Sequence, residues 1–208
     1  MKGFHFENLM ENRYLGPEYE RDLIGAMKTD DPDYRRELTG LQRIASARGY
    51  RPRQGNSLPF REAAEITKKF QPEDMTNPQK DFARELRLAL AEKLELEKDE
   101  DMNRLGFYTA VGGPLDAHGI DGFFVLHYAD KEGRLKECVT SFDVTRNPNK
   151  DEAAKADLLI GGDIADPSDA DFKEEEYLAK ISEYADKIAE IFKGKMSRGE
   201  AGFTRALH

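Results

Sequence analysis

Residues 120–128 restrict the folds open to this chain more than any other part of its sequence. The segment reads Ile-Asp-Gly-Phe-Phe-Val-Leu-His-Tyr, and it is apolar on both faces when drawn as an extended strand. A strand with two apolar faces must be covered on both sides, which is typical of the centre of a sheet that lies between helices. We therefore predict that this strand is central in its sheet.

The patterns around this strand indicate an α+β fold of the α/β-sandwich type. Hydrophobic periodicity and capping signals predict helices at residues 17–28, 31–49, 59–70, 78–98, 149–155 and 172–193, and further strands at residues 105–111, 134–145 and 156–160. We expect a central mixed sheet of four to five strands flanked by helices. Residues 1–75 should form an N-terminal helical extension packed on the core, residues 76–195 the core with its C-terminal helix, and residues 196–208 a flexible tail.

A short turn between two predicted strands sets their register. The sequence Asp130-Lys-Glu-Gly-Arg134 suits a three-residue loop with Gly133 in the left-handed conformation. Counting back along both strands from the pair formed by residues 130 and 134 places Asp121 opposite Asp143. Directly opposed side chains share a face, with Cβ atoms roughly 4.5–5.5 Å apart. A two-residue loop would instead shift the register by one and put the two acids on opposite faces.

Two carboxylates at that separation repel each other unless something neutralises them. A hard divalent cation with oxygen ligands would do so, and Thr145 would share the same face of the strand. Each acid also has an ordinary structural explanation. Asp121 could be an acid in the turn before its strand, and Asp143 could cap the Asn-Pro turn that follows it.

The composition favours a cytoplasmic protein. The chain contains 208 residues, no run long enough to span a membrane, no apolar signal-peptide core, and a single cysteine, Cys138. One cysteine excludes an intramolecular disulfide and a cysteine zinc cluster, and its position in a strand predicts a buried, inert thiol.

The net charge of −9 argues against a general nucleic-acid coat, but the charge is unevenly distributed. Residues 34–69 carry nine basic side chains against three acidic ones. This excess could mark a face that binds nucleic acid, or it could be an ordinary solvated helix surface. The candidate nucleic-acid contacts are Arg43, Arg48, Arg51 and Arg53.

The order of elements over residues 77–162 resembles the PD-(D/E)XK nuclease superfamily, which has the restriction-endonuclease-like fold. The resemblance rests on Gly119-Ile-Asp121 at the start of one strand and Asp143-Val-Thr145 at the end of the next. It implies a helix bearing a glutamate, three antiparallel strands, a helix and a fourth strand. It also implies that Asp121, Asp143 and a helix glutamate bind Mg²⁺ or Mn²⁺. Glu85 is the best match for that glutamate, with Glu92 as a weaker option.

The chain departs from the family pattern at Thr145, which occupies the position of the motif lysine. A lysine there would orient the attacking water and add positive charge, whereas a threonine offers only a hydrogen bond. Some family members recruit a basic residue from the next helix, so Lys150 is the first candidate replacement and Arg146 the second. Alternatively, Glu85 and Lys150 could be ordinary helix-surface residues with no role in metal binding or catalysis.

Three functions are consistent with these observations. The first is a metal-dependent nuclease, or a nuclease-like DNA-processing protein, in which Mg²⁺-activated water hydrolyses a phosphodiester. Its catalytic residues would be Glu85, Asp121, Asp143, Thr145 and Lys150, with DNA or RNA as substrate. The second is a catalytically impaired relative that serves as a nucleic-acid-binding or protein-interaction module. The third is an unrelated acidic interaction protein whose final helix packs on a protein partner or on a second copy in a homodimer.

Overall fold

The computed structural model of the chain describes residues 18–51, 58–146, 155–161, 164 and 172–203. A helical segment at residues 18–24 comes first. The helices that follow in the described part are α1 Pro32–Ala47, α2 Phe60–Lys69, α3 Asp81–Lys93, α4 Asp99–Met102 and α5 Glu174–Ser197. The start of α1 follows from its local sequence: the Asp31 side chain accepts a hydrogen bond from the Asp33 backbone N–H, and Pro32 lies in the first turn.

A mixed four-stranded sheet forms the centre of the molecule. Its strands are β1 Leu105–Thr109, β2 Gly122–Ala129, β3 Leu135–Thr145 and β4 Leu158–Gly161, in the spatial order β1-β2-β3-β4. The first three strands are antiparallel neighbours, and β4 runs parallel to β3. The predicted α+β fold, with its mixed sheet flanked by helices, is confirmed. The helix predicted at residues 149–155 lies outside the described residues except for its last position.

Strand β2 is buried on both faces in its first five residues, as its sequence predicts. Phe124 and Leu126 belong to a core that packs the sheet on α3 and α5, while Phe123 and Val125 belong to a second core against α1 and α2. Helix residues of the first core include Phe82, Leu86, Leu90, Ile181 and Ile188, and those of the second include Tyr34, Ala63 and Ile66. The alternation along one strand therefore supplies both hydrophobic layers.

The long helix predicted at residues 78–98 is shorter than its periodicity suggests. Helix α3 covers Asp81–Lys93, and its N-cap is Lys80 in an extended conformation. The chain leaves the helix at Glu95, whose φ of 59° is a left-handed conformation that a helix cannot contain. After this break, α4 begins at Asp99.

The C-terminal part of the described chain is packed, so the predicted tail at residues 196–208 is wrong for its first eight residues. Helix α5 continues to Ser197. The Gly202 backbone N–H donates to the Glu137 carbonyl oxygen at 3.0 Å and makes a parallel bridge beside Cys138. The Phe203 ring contacts Phe123 with 5.1 Å between ring centroids.

A buried ion pair joins α5 to the sheet. Lys195 is 3% exposed, and its Nζ donates to Asp157 Oδ2 at 2.8 Å and to the Val139 carbonyl oxygen at 2.7 Å. The same Asp157 oxygen accepts hydrogen bonds from the backbone N–H and the hydroxyl of Ser141. Lys195 Nζ and Asp157 Oδ2 therefore have partners in place of the water they lose. The nearby Cys138 is buried, as predicted, and burial raises the pKa of its thiol to about 11.

Among the helices that the structure describes, none combines the length and the apolar character needed to cross a membrane.

Candidate metal-binding and active site

The predicted register of the β2–β3 hairpin is confirmed. The ladder runs from Ala129 opposite Leu135 to Gly122 opposite Phe142. At the turn, the Asp130 backbone N–H donates to the Arg134 carbonyl oxygen at 3.0 Å. Gly133 has a φ of 76°, as the three-residue loop requires. The residues next beyond the last paired position are therefore Asp121 and Asp143.

The backbone hydrogen bonds between β2 and β3 end at this point, and a hydrogen bond to the Asp121 side chain replaces the next one. Its Oδ2 accepts a hydrogen bond from the Val144 backbone N–H at 2.7 Å, and its own backbone N–H donates to the Phe142 carbonyl oxygen at 3.1 Å. A regular antiparallel ladder would instead pair the Val144 N–H with a main-chain carbonyl. The carboxylate is thus held at the end of β3, beside Asp143.

Gly122 allows this arrangement by leaving room for the ring of Phe142. A Cβ at position 122 would lie 2.3 Å from Phe142 Cζ, much closer than atoms can approach. The ring cannot easily move, because it is fully buried and packs on Phe107 and Phe124 at centroid distances of 6.1 and 5.9 Å. The glycine beside Asp121 is therefore required for the close packing at the two strand ends.

Asp121 and Asp143 form a buried pair of neighbouring carboxyl groups. They are 4% and 3% exposed, respectively. Burial, the hydrogen bond to Asp143 and the charge of Asp143 together raise the pKa of Asp121 to about 9, and the hydrogen bond from Val144 only partly opposes them. At neutral pH one carboxyl group of the pair therefore carries a proton. The proton relieves the repulsion that the sequence predicts between the two acids.

A third acid near this pair is Glu20, which sequence reasoning did not identify. Its charge contributes to the raised pKa of Asp121. Glu20 lies in the helical segment at residues 18–24, which continues into a stretch fixed at the same end of the sheet: Thr109 Oγ1 donates to the Gly25 carbonyl oxygen at 3.0 Å. In the sequence, Glu20 is an ordinary acid in the first turn of a predicted helix, so nothing there indicated that it lies near Asp121.

Glu85 is placed elsewhere. It lies on α3, where its Oε1 is 3.6 Å from Arg84 Nε. It also faces Tyr177 on α5: burial raises the pKa of Tyr177 to about 12, and the charges of Asp81 and Glu85 add to that effect. The structure does not bring Glu85 together with Asp121 and Asp143, and the weaker option, Glu92, is exposed to solvent.

The end of β3 presents a polar and then a cationic residue. Thr145 is half-buried and pairs with Gly161 of β4, so its hydroxyl lies two positions beyond Asp143 on the same strand. Arg146 is exposed, and its Cζ lies 4.2 Å from the centroid of the Tyr19 ring. Lys150, the first candidate for the missing lysine, lies outside the described residues.

The predicted nucleic-acid contacts lie on the outer side of the helical extension. Arg43, Arg48 and Arg51 are exposed, and Arg53 lies outside the described residues. Part of the positive charge is balanced locally, because Arg48 Nη1 lies 3.7 Å from Glu62 Oε1. Lys68 and Lys69 pair in the same way with Glu137 and Glu37. The exposed cations that have no such ion pair among the described contacts include Arg43 and Arg51.

The donor set fits a hard divalent cation that keeps much of its water. In the described part of the chain, no three His, Cys, Asp or Glu side chains come together as a ready ligand cage. Mg²⁺ seldom uses such a cage, since it is commonly held by one or two carboxylates, with waters and substrate phosphate completing the octahedron. Asp121 and Asp143 meet that requirement.

Comparison of the chain with family models, curated proteins and solved structures gives no match in any of the three.

Proposed function

We propose that this protein is a metal-dependent nuclease, or a nuclease-like DNA-processing protein, that hydrolyses phosphodiester bonds in DNA or RNA. The proposal is carried by one observation: Asp121 and Asp143 lie side by side, buried, at the adjacent ends of two antiparallel strands. A buried carboxyl group whose pKa is raised by burial and by a neighbouring acid is typical of sites that bind cations or transfer protons. The strand order supports the proposal, because a meander followed by a parallel fourth strand agrees with the family that the sequence resembles.

The two aspartates would hold Mg²⁺ or Mn²⁺. A bound cation supplies a water of lowered pKa and neutralises charge that develops on the phosphoryl oxygens. The protein is prepared for this role, because the Val144 N–H already orients the Asp121 carboxylate. Cation binding requires both carboxylates to be ionised, so the proton that the pair shares at neutral pH is released.

The remaining roles fall to residues at the end of β3. Arg146 supplies the positive charge that the resembled family obtains from a lysine, and Thr145 supplies a hydrogen bond to the water or to a phosphate oxygen. Glu20, whose charge acts on Asp121, takes the place of Glu85 as the acid near the pair, and Asp121 and Asp143 alone would ligate the cation. The exposed Arg43 and Arg51 would contact the nucleic-acid backbone away from the site, where each neutralised phosphate makes binding more sensitive to salt. The location we propose is cytoplasmic.

The alternative is a catalytically impaired protein of the same fold, acting as a nucleic-acid-binding or protein-interaction module. Two observations favour it. Thr145 carries no charge where the resembled family has lysine, and both aspartates are almost fully covered. A protein partner or a second copy would then use surfaces such as the hairpin end, where Leu135 is 85% exposed.

Calorimetric titration with Mn²⁺ tests the metal site directly. The unaltered protein should bind Mn²⁺ and release a proton near neutral pH, which is detected by repeating the titration in buffers of different ionisation enthalpy. Asp121→Ala should abolish binding. Asp22→Asn, which changes an exposed acid of the helical segment at residues 18–24, is the matched control and should bind normally.

Cleavage assays on single-stranded, duplex and branched DNA and RNA separate the two functions. Nicking that requires Mn²⁺ or Mg²⁺ and disappears in Asp143→Asn supports the nuclease. Metal binding without cleavage of any of these substrates supports the impaired module. Absence of metal binding at millimolar Mn²⁺ would rule out the metal site that the nuclease requires.

A further inference from the structure

We propose that Tyr19 is a positioning residue, whose ring holds the Arg146 guanidinium just beyond the end of β3 as the contact for a substrate phosphate. This inference rests on the proposed function, since it names the group of the same site that recognises a phosphodiester. Neither residue belongs to the strands that carry the aspartates. Tyr19 comes from the helical segment at residues 18–24, and Arg146 is the first residue after β3.

The geometry of the pair is that of a cation–π contact. Arg146 Cζ lies 4.2 Å from the centre of the Tyr19 ring, well within the distance of about 6 Å over which such contacts act. The ring is 9% exposed, whereas Arg146 is exposed. One face of the guanidinium is therefore covered by the ring, while the side chain as a whole remains accessible from solvent.

The ring is a rigid support because its segment is anchored to the sheet. Ile24 is buried in the same core as Tyr19. Immediately afterwards, the Gly25 carbonyl oxygen accepts a hydrogen bond from Thr109 Oγ1, and the Met27 N–H donates to the Val111 carbonyl oxygen at 3.1 Å. A free arginine side chain samples many rotamers, and stacking on a fixed ring removes part of that freedom before a ligand arrives.

The chemistry of Arg146 identifies its ligand as a phosphate of a nucleic-acid backbone. Stacking uses the face of the guanidinium and leaves the N–H groups on its edge available for two parallel hydrogen bonds to phosphate oxygens. Arg146 follows Asp143 by three positions at the same end of β3, so a nucleic-acid backbone that reaches the aspartates would also meet Arg146. The aspartates are buried and Arg146 is exposed, so Arg146 would contact the phosphate at the surface.

The test uses a fluorescein-labelled DNA hairpin with a duplex stem and a single-stranded loop, bound in the presence of Ca²⁺ and followed by fluorescence anisotropy. Arg146→Ala should weaken binding about tenfold, which is the loss expected when one charged hydrogen-bonding group is removed. Tyr19→Leu should weaken it about threefold, and Tyr19→Phe should bind like the unaltered protein, since the ring and not its hydroxyl supports the cation. Arg21→Ala, an exposed arginine of the same helical segment, is the matched control and should change binding by less than Tyr19→Leu does.

A double-mutant cycle distinguishes positioning from a merely structural role. If Tyr19 acts through Arg146, Tyr19→Leu should cause no further loss in the Arg146→Ala background. Additive losses would overturn the proposal, and so would equal losses in Tyr19→Phe and Tyr19→Leu. Thermal unfolding of each variant verifies that it is folded. If Tyr19→Leu is not folded, Tyr19→Phe still tests the proposal, because a loss of DNA binding in that variant would contradict support of the cation by the ring alone.

Failure of this inference can be told apart from failure of the proposed function. If the protein binds Mn²⁺ through Asp121 but Arg146→Ala does not change DNA binding, the metal site is supported and the role of Arg146 is contradicted. If Tyr19 and Arg146 show the non-additive effects on DNA binding but the protein binds no Mn²⁺, the phosphate contact is supported and the metal-dependent activity is contradicted.

Discussion

The carboxylate of Asp121 accepts a hydrogen bond from the backbone N–H of Val144 at 2.7 Å, so the side chain just before β2 completes the hydrogen bonding of β3. This contact holds the carboxyl group in place whether or not it is ionised. It therefore separates two properties of Asp121: one oxygen maintains the end of the sheet, and the carboxyl group retains a proton at neutral pH because it is buried beside Asp143.

The stability of the protein should fall as the pH rises from about 4 toward about 9. In the unfolded chain Asp121 loses its proton near pH 4, whereas in the folded chain its pKa is raised to about 9, so the folded state binds more protons between these values. This one group should lower the free energy of unfolding by up to about 1.4 kcal/mol for each pH unit in that interval. Urea unfolding at several pH values measures the slope.

Asp121→Asn should remove this dependence on pH, because an amide has no proton to lose, and Asp22→Asn should retain it. Comparison with the variant is needed because Asp130 and Glu183, whose hydrogen-bonded partners lower their pKa values, also affect stability at acidic pH. Equal slopes for the unaltered protein and Asp121→Asn would contradict the assignment of the shared proton.

Mn²⁺ should raise the thermal unfolding temperature, and the rise should be larger at alkaline than at acidic pH. Protons compete with the metal for the Asp121–Asp143 pair, so binding strengthens as the proton becomes easier to remove. Differential scanning fluorimetry at a fixed Mn²⁺ concentration and increasing pH gives the trend. Asp143→Asn should show no rise at any pH, and a rise that does not depend on pH would mean that the metal binds elsewhere.

Gly122→Ala should destabilise the protein by about 1–3 kcal/mol, because the added methyl group collides with the buried Phe142 ring. Gly40→Ala is the matched control. Gly40 lies within α1 with no atom within 4 Å of an added Cβ, so that change should stabilise the protein by about 0.5–1 kcal/mol. Chemical denaturation measures both values. Rescue of Gly122→Ala by Phe142→Leu would support the collision as the cause, and full stability of the single variant would contradict it.

Lys195→Ala should cost about 3–5 kcal/mol of folding free energy, because it leaves Asp157 as a buried charge without its cation. Lys193→Ala, two positions earlier on the exposed side of α5, should have an effect within about 0.5 kcal/mol of zero. Replacing both partners, as in Lys195→Met with Asp157→Leu, should restore part of the loss. A small effect of Lys195→Ala in urea denaturation would mean that water reaches the ion pair.

The hairpin register was predictable because its determinants are local. The loop between β2 and β3 is fixed by Gly133 and by the Asp130 side chain, whose Oδ1 accepts hydrogen bonds from the Glu132 and Arg134 backbone N–H groups. Once the turn type was set, the pairing of Asp121 with Asp143 followed by counting. The apolar character of β2 likewise predicted its central place, since burial of both faces is a property of the strand's own sequence.

The proximity of Glu20 to the aspartates and the contact between Tyr19 and Arg146 were not predictable in the same way. The contact that fixes the segment after residues 18–24, between Thr109 Oγ1 and the Gly25 carbonyl oxygen, joins positions 84 residues apart. Periodicity indicates a helix there but not the end of the sheet on which it packs. The order of elements favours Glu85 as the third acid, because Glu85 lies on the helix that precedes the strands. That order does not determine which face of α3 is turned toward the aspartates.

The coverage of the sheet edges has a consequence for self-association. The outer side of β1 is occupied by the Gln71 amide, which bonds both the N–H and the carbonyl oxygen of Thr109, and by the Met75 carbonyl oxygen, which accepts from Phe107. Gly202 forms a bridge with Cys138, in the part of β3 that does not pair with β4. Strand addition from another molecule, the common route to fibrils and to domain-swapped dimers, is therefore obstructed at these two edges. Concentrated protein should accordingly resist cross-β polymerisation until residues 71–75 or 201–203 detach.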